Sequence, residues 1–157
     1  MTNKEIKIAY TEYAGLDELS AKDKELAEAA VSATASAYAP YSKFNVGAAV
    51  LFVDGEIVQG SNQENAAYPS GICAERTALF YASASRPDKA MAALAIAASQ
   101  DGVLLETPAT PCGACRQVMA QYQLKSGIPM RVLLVGAHKI WEFGKVDDLL
   151  PFIFDSI

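Results

Sequence analysis

The residues best able to carry chemistry are the three cysteines of the chain. Cys112 and Cys115 stand three residues apart in "TPCGACRQV", and Cys73 stands in "GICAER". Both segments predict the start of a helix, where free backbone N–H groups and the helix dipole stabilise a thiolate. Residues i and i+3 of a helix share a face, so this pair can bind one metal ion. Zinc prefers such soft ligands in tetrahedral geometry.

A lone C-x-x-C pattern also fits two buried cysteines or a redox pair. Cys73 favours the metal site, because a second helix start would bring a third thiolate to the ion. A structural zinc site needs four protein ligands, and the single histidine, His138, lies in a predicted hairpin turn where a surface position is the simpler interpretation. Three ligands and an open position are typical of a catalytic zinc that carries water. We therefore predict one zinc ion per chain.

Two charged residues follow Cys73. Glu75 would stay close to the metal without binding it, and could move protons between water and a leaving group. The alternative is an ordinary first-turn glutamate that complements the helix dipole. Arg76 could be solvated, but we favour a hydrogen bond to a thiolate sulfur that offsets its charge. Arg116 has the same two interpretations with weaker support.

The composition is that of a globular protein of 157 residues, 52% hydrophobic and 20% charged, with a net charge of −5 and a pI of about 4.8. Because a chain this acidic repels phosphate backbones, we expect no nucleic-acid partner. The apolar stretch "VGAAVLFV" falls short of the roughly 20 residues of a membrane helix, and the start of the chain lacks a secretory signal. We expect a cytoplasmic protein with reduced cysteines and no membrane partner.

The first half of the chain predicts a strand, a helix and a hairpin. Residues 5–13 alternate with period two and predict a strand at a sheet edge or against another subunit. Ser20 is a candidate N-cap for a helix over about residues 21–37, which Pro40 ends. "NVGAAVLFV" and "EIVQGSN" flank Asp54 and Gly55, a strong hairpin signal.

The second half alternates helices and strands. A helix is predicted from Cys73 to about Ser83, and another from about Cys112 to Tyr122 behind Pro111. Residues 90–99 predict a buried strand, although their alanines would equally suit a helix. "MRVLLVGAHKIWEF" predicts two strands, and "VDDLLP" a short closing helix. Together these elements predict an α/β fold in which a mixed sheet of about five strands is covered by helices on both faces, in one domain.

At this point the motifs resemble a known family. "C-A-E" followed by "P-C-x-x-C" is similar to the pattern of zinc-dependent nucleoside and nucleobase deaminases. More narrowly, the chain resembles the small, homotetrameric cytidine deaminases. The matching segments span about residues 38–154 and are "APYSKFNVGAAV", "NQENAAYP", "GICAERTAL", "TPCGACRQV" and "LLPFIF".

The resemblance implies a three-layer cytidine-deaminase-like fold, with residues 1–157 as a single such domain. It implies hydrolytic deamination of cytidine and deoxycytidine to uridine and deoxyuridine plus ammonia, in pyrimidine salvage. Cys73, Cys112 and Cys115 would bind zinc, hydroxide on the zinc would attack C4 of the base, and Glu75 would shuttle protons.

The resemblance also implies a substrate site and its partners. Asn62 and Glu64 would hydrogen-bond the ribose, chiefly its 3′-hydroxyl, and Phe44 would pack against the pyrimidine. Without the motif, the first two would be a polar strand end and the third ordinary core. Some positions would reach a neighbouring subunit's site, so a homotetramer with shared active sites is expected. The expected substrate contacts are Phe44, Asn62, Glu64, Asn65, Ala66, Tyr68 and Phe154, of which Ala66, Tyr68 and Phe154 act on the neighbour.

The chain departs from the family pattern at two places. Ala67 stands where many relatives have cysteine, which is not a ligand. Residues 1–20 extend beyond the usual start, and we expect them to add an edge strand without affecting the chemistry.

Three other functions compete with this interpretation. A related deaminase could act on another aminated pyrimidine such as blasticidin S, but Asn62 with Glu64 favours the ordinary nucleoside. Polynucleotide deaminases usually place histidine where Cys73 stands, and carry a basic surface. This chain, with its cysteine at that position and its net charge of −5, predicts neither feature. A structural zinc site in an interaction protein would need a fourth ligand and would leave Glu75 unexplained.

Overall fold

A mixed β-sheet lies between two helical layers in the computed structural model, which describes residues 1–155. Within that range the strands are β1 Thr11–Tyr13, β2 Phe44–Phe52, β3 Ile57–Ser61, β4 Met91–Gln100, β5 Val103–Leu104, β6 Arg131–Val135 and β7 Ile140–Phe143, and the α-helices are α1 Ala21–Ala33, α2 Ala74–Ser85 and α3 Gly113–Ser126. The spatial order is β1-β7-β6-β4-β2-β3, with β5 paired to β4. Strands β4 and β6 are parallel, and α3 connects them.

The predicted α/β fold with helices on both faces is confirmed, but the sheet has seven strands across residues 1–155 rather than about five. The short β5 was not predicted, because two residues are too few to show a period-two pattern. It follows a turn in which Asp101 has a φ of 52°.

Strand β2 separates two hydrophobic cores, because successive side chains of a strand point to opposite faces of the sheet. Ala48, Val50 and Phe52 belong to the core beneath α2 and α3. Ala49 and Leu51 belong to the core beneath α1. Helix α1 therefore lies on the opposite face of the sheet from the helices that carry the cysteines.

Helix α2 approaches the sheet closely at a glycine. A Cβ atom at Gly60 of β3 would lie 2.5 Å from the backbone nitrogen of Ala78 in α2. Only glycine allows this spacing, which brings the backbone of α2 close to the sheet. The amino end of that helix carries Cys73, Glu75 and Arg76.

The predicted helix boundaries hold with small shifts. Ser20 caps α1 as predicted, since its Oγ accepts a hydrogen bond from the N–H of Asp23 at 3.1 Å. The α-helix ends at Ala33 and continues as a 3₁₀ turn over Thr34–Ser36. Helix α3 runs four residues beyond the predicted Tyr122, to Ser126, and ends at Gly127 with a φ of 67°.

The predicted first strand is shorter than expected. It occupies Thr11–Tyr13 rather than residues 5–13, and it pairs with β7 at the edge of the sheet, as predicted. Strand β7 ends at Phe143, opposite Tyr10, so earlier residues have no strand of β7 to pair with. The Tyr10 ring stacks on Phe143 at 5.5 Å and meets the edge of Trp141 at 5.8 Å.

Within residues 1–155, no helix combines the length and the apolar character that crossing a membrane requires.

Candidate metal centre and active site

The three cysteine sulfurs meet at the amino ends of two helices. Cys73 is the N-cap of α2, Cys112 is the N-cap of α3, and Cys115 is buried in the first turn of α3. All three Sγ atoms lie within 4.8 Å of one another, and those of Cys112 and Cys115 are 3.5 Å apart. The structure thus brings together the three residues that the sequence predicted as ligands.

The surroundings of the sulfurs fit a divalent ion bound by thiolates. Two helix amino ends point their positive dipole ends at the cluster. Arg76 Nη2 donates a hydrogen bond to Cys73 Sγ at 3.6 Å, the role predicted for it. Its Nε is buried and has no hydrogen-bond partner within residues 1–155, so a spare donor lies beside the sulfurs. Three soft donors with this compensation suit zinc.

Cys73 and Cys115 differ in how readily their thiols lose a proton. A hydrogen bond from Cys115 and the Arg76 guanidinium lower the pKa of Cys73 to about 5, against the opposing effect of burial. The same hydrogen bond, together with burial, raises the pKa of Cys115 above its ordinary value. Metal binding would displace the remaining protons, because thiolates are the ligating form.

Glu75 is a buried carboxyl group beside the cysteines. It is 5% exposed, lies in the first turn of α2 and lines the same cleft as Cys73. Burial is the main cause that raises the pKa of Glu75 above its ordinary value, and the negative charge of Cys73 adds to it. A carboxyl group in this position can hold a proton next to the metal centre.

A cleft of about 800 Å³ leads from the cysteines to the start of β2 and the end of β3. It is lined by most of the predicted residues: Phe44, Asn62, Glu64, Asn65, Tyr68, Cys73, Glu75, Arg76 and Cys112. Among the described residues, three that were predicted fall outside this lining: Ala66, Phe154 and the buried Cys115.

The Asn62 side chain is fixed at the cleft by two hydrogen bonds to β2. Its Oδ1 accepts from the N–H of Val46 at 2.8 Å, and its Nδ2 donates to the carbonyl of Phe44 at 2.9 Å. An amide oxygen has a second lone pair and an amide nitrogen a second hydrogen. Asn62 therefore keeps one donor and one acceptor for a ligand.

The Glu64 carboxylate accepts three hydrogen bonds from the turn before β2. Oε2 accepts from the N–H groups of Tyr41 at 2.9 Å and Ser42 at 3.3 Å, and Oε1 accepts from the Ser42 hydroxyl. These bonds, that of the Ser42 hydroxyl foremost, hold the pKa of Glu64 below its ordinary value. The group is an ionised acceptor at neutral pH.

The residues predicted to act on a neighbouring subunit are exposed. Tyr68 is 82% exposed at the mouth of the cleft, and Phe154 is 68% exposed in the tail. Ala66 is exposed beside Asn65, whose Oδ1 accepts from the N–H of Ala67 at 2.9 Å. The tail is held at Phe154, since the side chain of Gln117 donates to its carbonyl at 2.7 Å and accepts from its N–H at 3.2 Å.

Several residues of the cleft, and the contacts of Arg116, were not predicted from the sequence. Ser42, Tyr41 and Thr110 line the cleft, and the signal for the first two was a polar turn between Pro40 and the predicted strand. Arg116 donates to the carbonyls of Pro111 at 2.9 Å and Leu149 at 2.8 Å. Its guanidinium therefore supports the loop before Cys112, a role that neither interpretation had foreseen.

Comparisons with known proteins agree with this arrangement. Residues 20–129 match the family model of the cytidine and deoxycytidylate deaminase zinc-binding region. A cytidine deaminase of Sporosarcina psychrophila is 48% identical over 120 residues, which cover 76% of this chain and 82% of that protein.

Solved structures show the same fold. The crystal structure of a cytidine deaminase from Burkholderia pseudomallei superposes with a TM-score of 0.67 at 41% identity, covering 83% of this chain and 97% of that one. That of a cytidine deaminase from Mycobacterium tuberculosis gives 0.65 at 33% identity, covering 84% and 96%. The family model matches more than half of the chain, and the chain therefore belongs to the family of zinc-dependent cytidine and deoxycytidylate deaminases.

Proposed function

We propose that this protein hydrolyses the 4-amino group of cytidine and deoxycytidine, giving uridine or deoxyuridine and ammonia. The observation that carries the proposal is the buried Glu75 carboxyl group beside three converging cysteine sulfurs at the end of a cleft large enough to admit a nucleoside. Pyrimidine salvage is the process that such a reaction serves. The cytoplasmic location expected from the sequence stays a prediction.

Cys73, Cys112 and Cys115 would hold the zinc ion. When bound, zinc lowers the pKa of a coordinated water and so makes it a nucleophile at neutral pH. Glu75 takes a proton from the attacking water and passes it to the departing amine. The water oxygen forms a bond to C4 and the bond between C4 and the amino nitrogen breaks. One proton of the water ends on the ammonia and the other on N3 of the ring, so the products are the C4 carbonyl compound and ammonia. Arg76 offsets the negative charge of the sulfurs through Cys73.

The other end of the cleft would bind the nucleoside. Asn62 offers one free donor and one free acceptor, and Glu64 a free lone pair, to a sugar hydroxyl. The Phe44 ring is half-buried at the cleft and would pack against the pyrimidine. Asn65 would contact the sugar from the same loop.

We infer that the active assembly is a homotetramer in which Ala66, Tyr68 and Phe154 complete a neighbour's site. Their exposure supports this proposal, since all three side chains, the large rings of Tyr68 and Phe154 included, are accessible to a neighbouring chain. The hold of Gln117 on the backbone of Phe154 also supports it, because it fixes the tail that presents the ring.

The test is the ultraviolet absorbance of cytidine mixed with purified, zinc-loaded protein, which follows loss of the 4-amino chromophore. We expect turnover by the wild type and a loss of at least about 10²-fold in kcat for Glu75→Ala, as is usual when a proton-transfer group is removed. Zinc content should stay at one per chain in this variant. A zinc-loaded wild type without turnover would refute the proposed substrate and direct the search to other aminated bases.

A further inference from the structure

Ser42 links two elements that would bind different parts of a nucleoside. Its Oγ donates a hydrogen bond to Oε1 of Glu64 and accepts one from the N–H of Phe44 at 3.0 Å. The hydroxyl hydrogen is thereby directed at the carboxylate. One side chain thus connects the residue proposed for the sugar with the residue proposed for the base.

The hydrogen bonds of Glu64 leave one acceptor position for a ligand. A carboxylate has about four lone-pair sites. Two N–H donors occupy Oε2, and the Ser42 hydroxyl occupies one site of Oε1. The remaining site is on Oε1, next to the Ser42 hydroxyl. The backbone donors to Oε2 survive any side-chain substitution, so Ser42 alone can be changed to release Oε1.

The turn that carries Ser42 is held on both sides. Lys43 has a φ of 57°, in the left-handed region that residues other than glycine rarely adopt. Its N–H donates to the carbonyl of Ala39 at 3.1 Å. The N–H of Glu64 donates to the carbonyl of Tyr38 at 2.8 Å. Ser42 and Glu64 therefore face each other across a fixed distance before any ligand arrives.

We propose that Ser42 is a positioning residue that orients the Glu64 carboxylate for a sugar hydroxyl, and so favours nucleosides with a 3′-hydroxyl. This inference rests on the proposed function, because it assigns the substrate group that Glu64 accepts. Preorganisation of this kind improves binding without touching the reacting atoms. Its effect belongs in KM rather than in kcat, since the contact is the same in ground and transition states.

The experiment compares Ser42→Ala with Ser42→Thr, which keeps the hydroxyl, and with Ser32→Ala, an exposed serine of α1 on the opposite face of the sheet. Two ligands that differ only in the 3′-hydroxyl report on Glu64. They are deoxycytidine as the substrate and 2′,3′-dideoxycytidine, measured by its inhibition constant. Urea unfolding of each variant checks that the fold is kept.

For Ser42→Ala we expect KM for deoxycytidine to rise about tenfold, the lower end of the effect of a hydrogen bond to a charged group, with kcat within about twofold. The inhibition constant of dideoxycytidine should stay within about twofold. The KM of the Ser42→Thr protein should stay close to the wild-type value, because threonine keeps the hydroxyl, and Ser32→Ala should leave KM unchanged. In a Glu64→Gln background, Ser42→Ala should add little, because coupled residues are not additive.

Equal weakening of both ligands, or a full additional loss in the Glu64→Gln background, would overturn the role of Ser42 while leaving the deaminase activity established. A zinc-loaded wild type that does not turn over deoxycytidine would overturn the proposed function and this inference together. The two failures are therefore distinguishable in one set of assays.

Discussion

Replacing Gly60 by alanine should move Cys73, at the start of α2, away from Cys112 and Cys115, at the start of α3. The new Cβ would lie 2.5 Å from the nitrogen of Ala78 and 2.8 Å from its Cα. Carbon atoms pack at about 3.5 to 4 Å, so α2 must recede from the sheet by about 1 Å. Both contacts are with backbone, which cannot rotate away.

The displacement would reach the active site because α2 moves as one element. Glu75 lies about one turn from Ala78, and Cys73 is the N-cap of the same helix. Cys112 and Cys115 are on α3 and would not follow. We expect a loss of about 1–3 kcal/mol in the free energy of unfolding from overpacking. A misplacement of about 1 Å at catalytic groups should lower kcat/KM for cytidine by about 10²-fold.

The assay combines urea unfolding, zinc content and cytidine kinetics, with two matched controls. Gly144→Ala should be neutral, since a Cβ there meets nothing within 4 Å among the described residues. Leu26→Ala empties the core under α1 and should cost about 2–5 kcal/mol, yet the folded protein should keep its kcat/KM. A Gly60→Ala protein that retains kcat/KM within about twofold, or a Leu26→Ala protein that loses as much activity per folded chain, would refute the displacement of α2.

Two further predictions concern the ends of the chain. Tyr10→Ala should uncover Trp141, the only tryptophan, because the centroids of the two rings lie 5.8 Å apart. The emission should shift to the red and acrylamide quenching should become faster, while kcat stays unchanged because Tyr10 does not line the cleft. Unaltered emission and quenching would contradict packing of Tyr10 against Trp141. Subunit exchange in an equal mixture of Glu75→Ala and Phe154→Ala proteins, each weakly active alone, should restore about a quarter of wild-type activity. Half of the sites then have their own Glu75, and half of those receive Phe154 from a neighbouring subunit. Activity no higher than the average of the two parent proteins would contradict shared active sites. The controls are the Glu75→Ala and Phe154→Ala proteins, each incubated alone.

The parts of the fold that could be predicted from the sequence rest on local patterns. The turn at Asp54 and Gly55 and the period-two strands around it specify the β2–β3 hairpin. The spacing of Cys112 and Cys115, and the helix start after Cys73, made a shared metal site a testable prediction. In each case the signal lies within a few residues, where backbone preference and side-chain periodicity act directly.

The parts that could not be predicted depend on contacts distant in sequence. The predicted strand over residues 5–13 stops short because β7, its partner at the other end of the chain, ends at Phe143. The bond between Ser42 and Glu64 spans 22 positions and requires the left-handed turn at Lys43. A lysine in that conformation leaves no mark in composition or periodicity, because the surrounding hydrogen bonds impose it.

The cysteine caps of α2 and α3 connect the supply of metal to the folding equilibrium. Helices usually begin at serine, threonine, aspartate or asparagine, and losing such a cap costs about 1 kcal/mol. Within residues 1–155, neither Cys73 nor Cys112 makes a side-chain capping bond. Both helices thus begin with a candidate zinc ligand that adds no side-chain capping bond to the helix. A ligand that binds only the folded state stabilises it in proportion to the logarithm of its free concentration, so available zinc should raise the folded fraction of this enzyme as well as its activity.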